Sequence, residues 1–198
     1  MPKVSPEYMR ARRDQIAHAA LQEFSARGIH STSMANIISA SGLSAGAIYT
    51  HFTGKDDIIE YVARSTVQGL LSRFRETIAS SPPPSQEELL HAVRAGVRGS
   101  EVTPGFIVQV WGEAATNAEV RAMINTLYAD ALGFLGEYSV RWLTESRGLT
   151  PAAAAAEAPA QARVLLSAIY AHFLQSALID AHDPEVHAAD FGRVFGRG

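Results

Sequence analysis

The chain is 198 residues long, 47% hydrophobic and without cysteine, and its net charge is -3. That length holds one substantial core and at most a small satellite domain, and the missing thiols exclude a disulfide framework or a thiolate metal site. No apolar run reaches the roughly 20 residues that cross a bilayer, and MPKVSPEYMRARRDQ lacks the apolar stretch of a signal peptide, so a soluble cytoplasmic protein with no membrane partner is expected.

Apolar residues recur at three- and four-residue spacing along nearly the whole chain without sustained alternation, which predicts an all-α fold. The first helix is expected from Pro6 to Arg27, with Ile16, Ala20 and Phe24 on one face and Gly28 at the left-handed position after its end. Thr32 can cap the second helix, whose inward face is Met34, Ile37 and Ile38. Gly42 permits a tight turn with Leu43 beneath it, and Ser44 can cap a third helix whose Ile48 and Phe52 point inward. So short a helix is held only by packing, which leaves Ala45, Gly46, Tyr49 and Thr50 on a face free for another purpose.

A long helix of about 37 Å follows from about Asp56 to Ser80, stopped by Pro82-Pro83-Pro84. Ser85-Gln86-Glu87-Glu88 is a capping box for a helix through about Arg98. Thr103-Pro104 starts another through about Ala115, and Asn117 can cap a helix from Ala118 to Arg147. The alanine-rich segment 151–160 contains Pro159 and reads as a connection. Val164, Leu165, Ile169, Phe173, Ala177 and Leu178 mark a helix from Gln161 to Asp180, and Asp183-Pro184 opens a last one with Val186, Val194 and Phe195.

Two short helices around a glycine turn, the second showing small and hydroxyl-bearing residues, form a helix-turn-helix whose second helix can enter the DNA major groove. Charge agrees with that reading: residues 1–55 carry six basic and three acidic side chains, and the rest eleven basic and seventeen acidic. A mildly basic head therefore sits on an acidic body. The stretch from Arg12 to Ile59 resembles the DNA-binding head of the TetR/AcrR family of transcriptional regulators. The resemblance lies in Ile16, Ala20 and Phe24, Gly28, Thr32-Ser33-Met34, Ile37, Gly42-Leu43-Ser44, Gly46, Ile48-Tyr49, His51-Phe52 and Lys55.

The resemblance implies a three-helix head over residues 1–54, and an effector-binding and dimerisation body over 55–198. It also implies a dimeric regulator, most often a repressor, that binds a near-palindromic double-stranded operator and is released by a small molecule, with no catalytic activity or cofactor. Residues matching Thr32, Ser33, Tyr49, His51 and Lys55 touch the DNA backbone in the family; hydroxyls, helix N-terminal amides and a lysine suit phosphate oxygens. Ser44, Ala45, Gly46 and Thr50 complete the expected surface. The family often has a long basic side chain where this chain has Ala45, so strong bidentate base contacts are missing from the helix. Sequence preference then falls on DNA shape, on Asn36, or on an arm of Arg10, Arg12 and Arg13. Without the resemblance, Tyr49 reads as a ring packed on the first helix, His51 as a helix-end residue bonded locally, and the arm as a solvated tail.

In the body, the resemblance implies dimerisation through the last two helices, which sets two recognition helices about 34 Å apart. The expected effector cavity gathers Phe106, Val110, Trp111, Met123, Leu127, Phe134, Tyr138, Tyr170 and Phe173, with Gln109, Glu113 or Asn117 as polar anchors, and suits a largely apolar ligand. The same aromatics would form the core of any bundle. Two rivals remain: a helical dimer that senses a ligand or a protein partner without specific DNA binding, and a metal-binding bundle enzyme using Asp180-Ala181-His182-Asp183-Pro184-Glu185-Val186-His187. Against the second, no Glu-x-x-His pair lies on a helix face there and no nucleophile elbow surrounds any serine.

Overall fold

A computed structural model describes residues 5–99 and 101–195. The first four residues of the expected head and the last three of the expected body lie outside the described residues. Among the described residues the chain forms helices only: α1 (Pro6–Arg27), α2 (Met34–Ser41), α3 (Ala45–Tyr49), α4 (Lys55–Ile78), α5 (Gln86–Arg98), α6 (Pro104–Thr116), α7 (Ala118–Glu145), α8 (Pro151–Leu178) and α9 (Pro184–Phe195).

Most boundaries follow from local chemistry. Ser44, Thr103 and Asn117 accept hydrogen bonds from amides in the first turns of α3, α6 and α7, which satisfies donors that have no intrahelical partner. At α5 the Ser85 hydroxyl accepts from the Glu88 amide at 3.2 Å while Glu88 Oε2 accepts from the Ser85 amide at 2.7 Å, a reciprocal box. Gly28 and Gly42 end α1 and α2 with φ of 87° and 67°, a region that side chains with a Cβ rarely adopt.

The ends of α4, α6, α7 and α8 fall within two residues of the sequence expectation, and two features differ outright. Ser33, not Thr32, caps α2: its hydroxyl accepts from the Asn36 amide at 3.2 Å, and Asn36 Oδ1 accepts from the Ser33 amide at 2.9 Å. Thr32 is buried and its hydroxyl donates back to the carbonyls of Gly28 at 2.8 Å and Glu23 at 3.2 Å. The alanine-rich segment is the start of α8 and not a connection. Ala154, Ala158 and Ala162 recur every four residues and are buried, so the small side chains let α8 lie close on α7. Pro159 sits on the exposed side of the helix, where water can satisfy the backbone carbonyl that its missing N–H leaves without a partner.

Two apolar clusters fill the interior. The first joins Ile16, Ala20 and Phe24 of α1, Ile37 of α2, Ile48 and Phe52, and Ile58 and Ile59 of α4 to Phe106 and Val110 of α6 and Met123 and Leu127 of α7. The second packs Leu89, Leu90 and Val93 of α5 against Leu135, Tyr138 and Trp142 of α7, Leu165 and Leu166 of α8 and Phe191 of α9. A division between residues 54 and 55 therefore falls inside a continuous core. The Phe24 and Phe106 rings stack across it, with centroids 6.1 Å apart and planes 12° from parallel.

Candidate nucleic-acid interface and ligand cavity

The five residues of α3 make too short a helix to persist alone. It is anchored by Ile48 within it and Phe52 just beyond, both essentially inaccessible. Burying two such side chains contributes about 1.5–3 kcal/mol each. Opposite them Ser44, Ala45, Gly46, Tyr49 and Thr50 face outward, Tyr49 with 55% of its surface exposed. Tyr49 is therefore not packed into the core. Thr50 Oγ1 donates to the Gly46 carbonyl at 2.8 Å, so its lone pairs, not its proton, face solvent. His51 is half-buried and its Nδ1 has no hydrogen-bond partner.

The remaining expected contact residues are more committed. The Lys55 ammonium donates to the carbonyls of Ile29 at 3.0 Å and Thr32 at 3.3 Å, tying the start of α4 to the α1–α2 loop. Thr32 offers no hydroxyl to a phosphate, since its side chain is turned inward; Ser33 is exposed at the α2 N-terminus. Arg10, Arg12 and Arg13 lie on α1. The Arg13 guanidinium sits 4.4 Å from the Phe52 ring centre and 4.5 Å from that of Tyr61, with Asp57 Oδ1 at 3.5 Å. It clamps the head. Arg12 bonds the Tyr8 hydroxyl at 3.0 Å and Gln15 Oε1 at 2.7 Å along its own helix.

In the body, a cavity of about 130 Å³ opens between α4, α5, α6, α7 and α8. Trp111, Leu127, Phe134, Tyr170 and Phe173 line it as expected, together with Ile107, Ile124, Leu89, Val93, Val67 and Thr66. The Trp111 and Tyr170 rings meet with centroids 4.7 Å apart, and burial raises the Tyr170 phenol's pKa, keeping it neutral. Phe106, Val110 and Met123 do not line this cavity; they belong to the core shared with the head. Nor does Tyr138, which is fully buried and donates to the Pro84 carbonyl at 2.8 Å, holding the proline-rich turn against α7. Ile107 was legible in principle, because it precedes Trp111 by four residues on one helix face.

The expected polar anchors serve elsewhere. Gln109 Oε1 accepts from the Ile29 amide in the head at 2.7 Å, Glu113 lies 3.6 Å from His30, and Asn117 caps α7 while donating to Asp56 at 3.2 Å. The candidate metal stretch brings His182 and His187 beside His172 of α8: His182 Nε2 and His172 Nδ1 are 3.4 Å apart and the three ring centres 5.5 to 5.9 Å apart. Among the described residues no group could hold a metal ion, and Asp183 is used as the α9 cap, accepting from the amides of Glu185 and Val186. Burial, with His182, His187, Arg94 and Arg98 nearby, lowers the His172 pKa to about 4. No helix among the described residues is long and apolar enough to cross a membrane.

The fold and these two sites define a helix-turn-helix protein with a cavity-bearing helical body. Residues 16–62 match the family model described as "Bacterial regulatory proteins, tetR family". The chain is similar to the HTH-type transcriptional regulator UidR of Escherichia coli K12, 26% identical over 125 residues that make up 63% of each chain. It is also similar to the HTH-type transcriptional repressor KstR2 of Rhodococcus jostii, 30% identical over 69 residues, 35% of this chain and 34% of that one. The matched regions thus span less than two thirds of these relatives. The structure of Salmonella enterica GusR superposes with a TM-score of 0.73 at 24% identity, covering 98% of this chain and all of that one; the likeness is one of fold, head and body together.

Proposed function

We propose that the protein is a ligand-responsive transcriptional regulator, acting by binding and not by catalysis, that represses from a near-palindromic double-stranded operator as a homodimer. The observation that carries this reading is α3 itself. A five-residue helix buries one side and presents Ser44, Ala45, Gly46, Tyr49 and Thr50 on the other. The absence of bulk at Ala45 and Gly46 lets backbone approach the groove closely, while Tyr49, Ser33 and His51 supply polar groups for phosphates. Lys55 contributes through the loop it fastens as well as by its charge. Without Arg, Lys, Asn or Gln between Ser44 and Thr50, operator choice rests largely on DNA shape and single polar contacts.

A second copy of the chain is the proposed partner of the α8–α9 surface. Val164, Leu174 and Leu178 share one side of α8, and Ile179, Val186, Val194 and Phe195 add exposed apolar side chains from the end of α8 and from α9; all are at least 40% exposed. The proposed effector is a small, largely apolar molecule held in the cavity beside Trp111 and Tyr170. Its volume of about 130 Å³ is near that of an engineered apolar cavity of about 150 Å³ that binds benzene, so the arrangement seen here suits a single small ring. Effector binding favours one arrangement of the body and thereby lowers operator affinity.

Selection of genomic fragments by the purified protein, followed by salt titration on an enriched site, tests the reading. Enrichment of a near-palindrome whose affinity falls steeply with salt is expected. Weak, sequence-blind binding confined to low salt would overturn the operator and leave a ligand-sensing dimer.

A further inference from the structure

Helix α4 starts beside the head at Lys55 and carries Thr66 and Val67 of the cavity wall, and the contacts of α6 offer a second connection between the two. On an α-helix, residues two apart are separated by about 200°, so the side chain between Ile107 and Trp111 points away from them. Ile107 and Trp111 line the cavity. Gln109, between them, points at the head, where its Oε1 accepts from the Ile29 amide at 2.7 Å across 80 residues of sequence. The fit is close: a Cβ added at Gly28 would lie 3.3 Å from the same oxygen. The carbonyl side of that loop is held by Lys55, through Ile29 and Thr32, and the next residue, Ser33, caps α2. The stacked Phe24 and Phe106 rings lie on the same contact between α1 and α6.

We infer that Gln109 is the positioning residue through which the head reads the cavity: an occupant pressing on Trp111 and Ile107 shifts α6, and the Gln109–Ile29 hydrogen bond carries that shift to the α1–α2 loop and so to α2 and α3. The inference rests on the effector reading of the cavity given above. Gln109 touches neither effector nor DNA; it acts through Ile29.

Toluene, an apolar ring of suitable size, serves as the probe, with uniformly ¹⁵N-labelled full-length protein. The Trp111 indole resonance reports whether the cavity is filled, and hydrogen exchange at the Ile29 amide reports the relay. Saturating toluene is expected to shift the indole signal and to speed Ile29 exchange by roughly fivefold or more. In Gln109→Met, which keeps the length and removes the acceptor, Ile29 exchange is fast with or without toluene, while Gln109→Glu restores both protection and the toluene response. A merely structural bond would be lost in Gln109→Met but would not depend on the occupant in the native protein. An indole shift with Ile29 exchange unchanged overturns the relay and leaves the regulator reading standing. No indole shift removes the cavity as an effector site, and the relay with it.

Discussion

Two surfaces of this molecule are left open by its helices, and they are built oppositely. The outward face of α3 is small and polar, with Ala45, Gly46 and Thr50 around an exposed Tyr49. The outward stripe of α8 and α9 is apolar, with Val164, Leu174, Leu178 and Val194. A polar face of low bulk loses little by meeting a hydrated polyanion, because its groups exchange one set of hydrogen bonds for another. An apolar stripe gains by leaving water and suits a second copy of itself. Exposure alone is therefore not a functional signal; what is exposed decides the partner.

The comparison breaks most sharply if α3 is not held as described. Phe52→Ala removes a buried ring that meets Tyr61 edge-on and carries the Arg13 guanidinium, and is expected to cost about 3–5 kcal/mol in urea denaturation. The proposed DNA binding should be lost at temperatures where the proposed α8–α9 self-association persists. Next in size, Leu174→Glu with Leu178→Glu places two charges on the apolar stripe and should weaken self-association by roughly hundredfold. Sedimentation equilibrium reads this; an unchanged oligomer would show that the stripe is not the dimer surface.

A smaller effect sharpens the polar side. Tyr49→Phe removes one exposed hydroxyl, so operator affinity should fall by about fivefold, the equivalent of a hydrogen bond of roughly 1 kcal/mol, with the melting temperature unchanged. A melting temperature that drops instead would make Tyr49 a packing residue.

A separate test concerns pH on the α8–α9 side. His172 has a folded pKa of about 4 against an ordinary 6.5, set by burial and by His182, His187, Arg94 and Arg98. The unfolded chain therefore takes up a proton first as pH falls, so stability declines between about pH 6.5 and 4 and levels off below. His182, also lowered by burial and by His187, adds to the same trend. Urea midpoints at pH 7.5 and 4.5 should differ less in His172→Gln than in the native chain.

Much of this was legible in the residues. The all-helical class, the turn at Gly42 and the inward pair Ile48 and Phe52 all followed from spacing and small-residue chemistry, and so did five of the residues that line the cavity. Thr32 and Ser33 show the limit: either can cap a helix, and the choice was made by the Glu23 and Gly28 carbonyls, which draw the Thr32 hydroxyl inward. Phe106 and Trp111 show another. Both are aromatic and on one helix, but a difference of five residues turns one toward the head and the other toward the cavity.

What the sequence by itself determined is where helices begin. Ser44, Ser85, Thr103, Asn117 and Asp183 cap through atoms within three residues of themselves, so no distant partner is needed. Tertiary structure alone decided that Pro159 lies inside α8, that Tyr138 braces a turn instead of lining a cavity, and that Gln109 belongs to the head's loop. Each of those outcomes depends on which helix lies opposite, and for Gln109 the partner is 80 residues away. Local spacing fixes the face on which a side chain sits, but only packing fixes what that face meets.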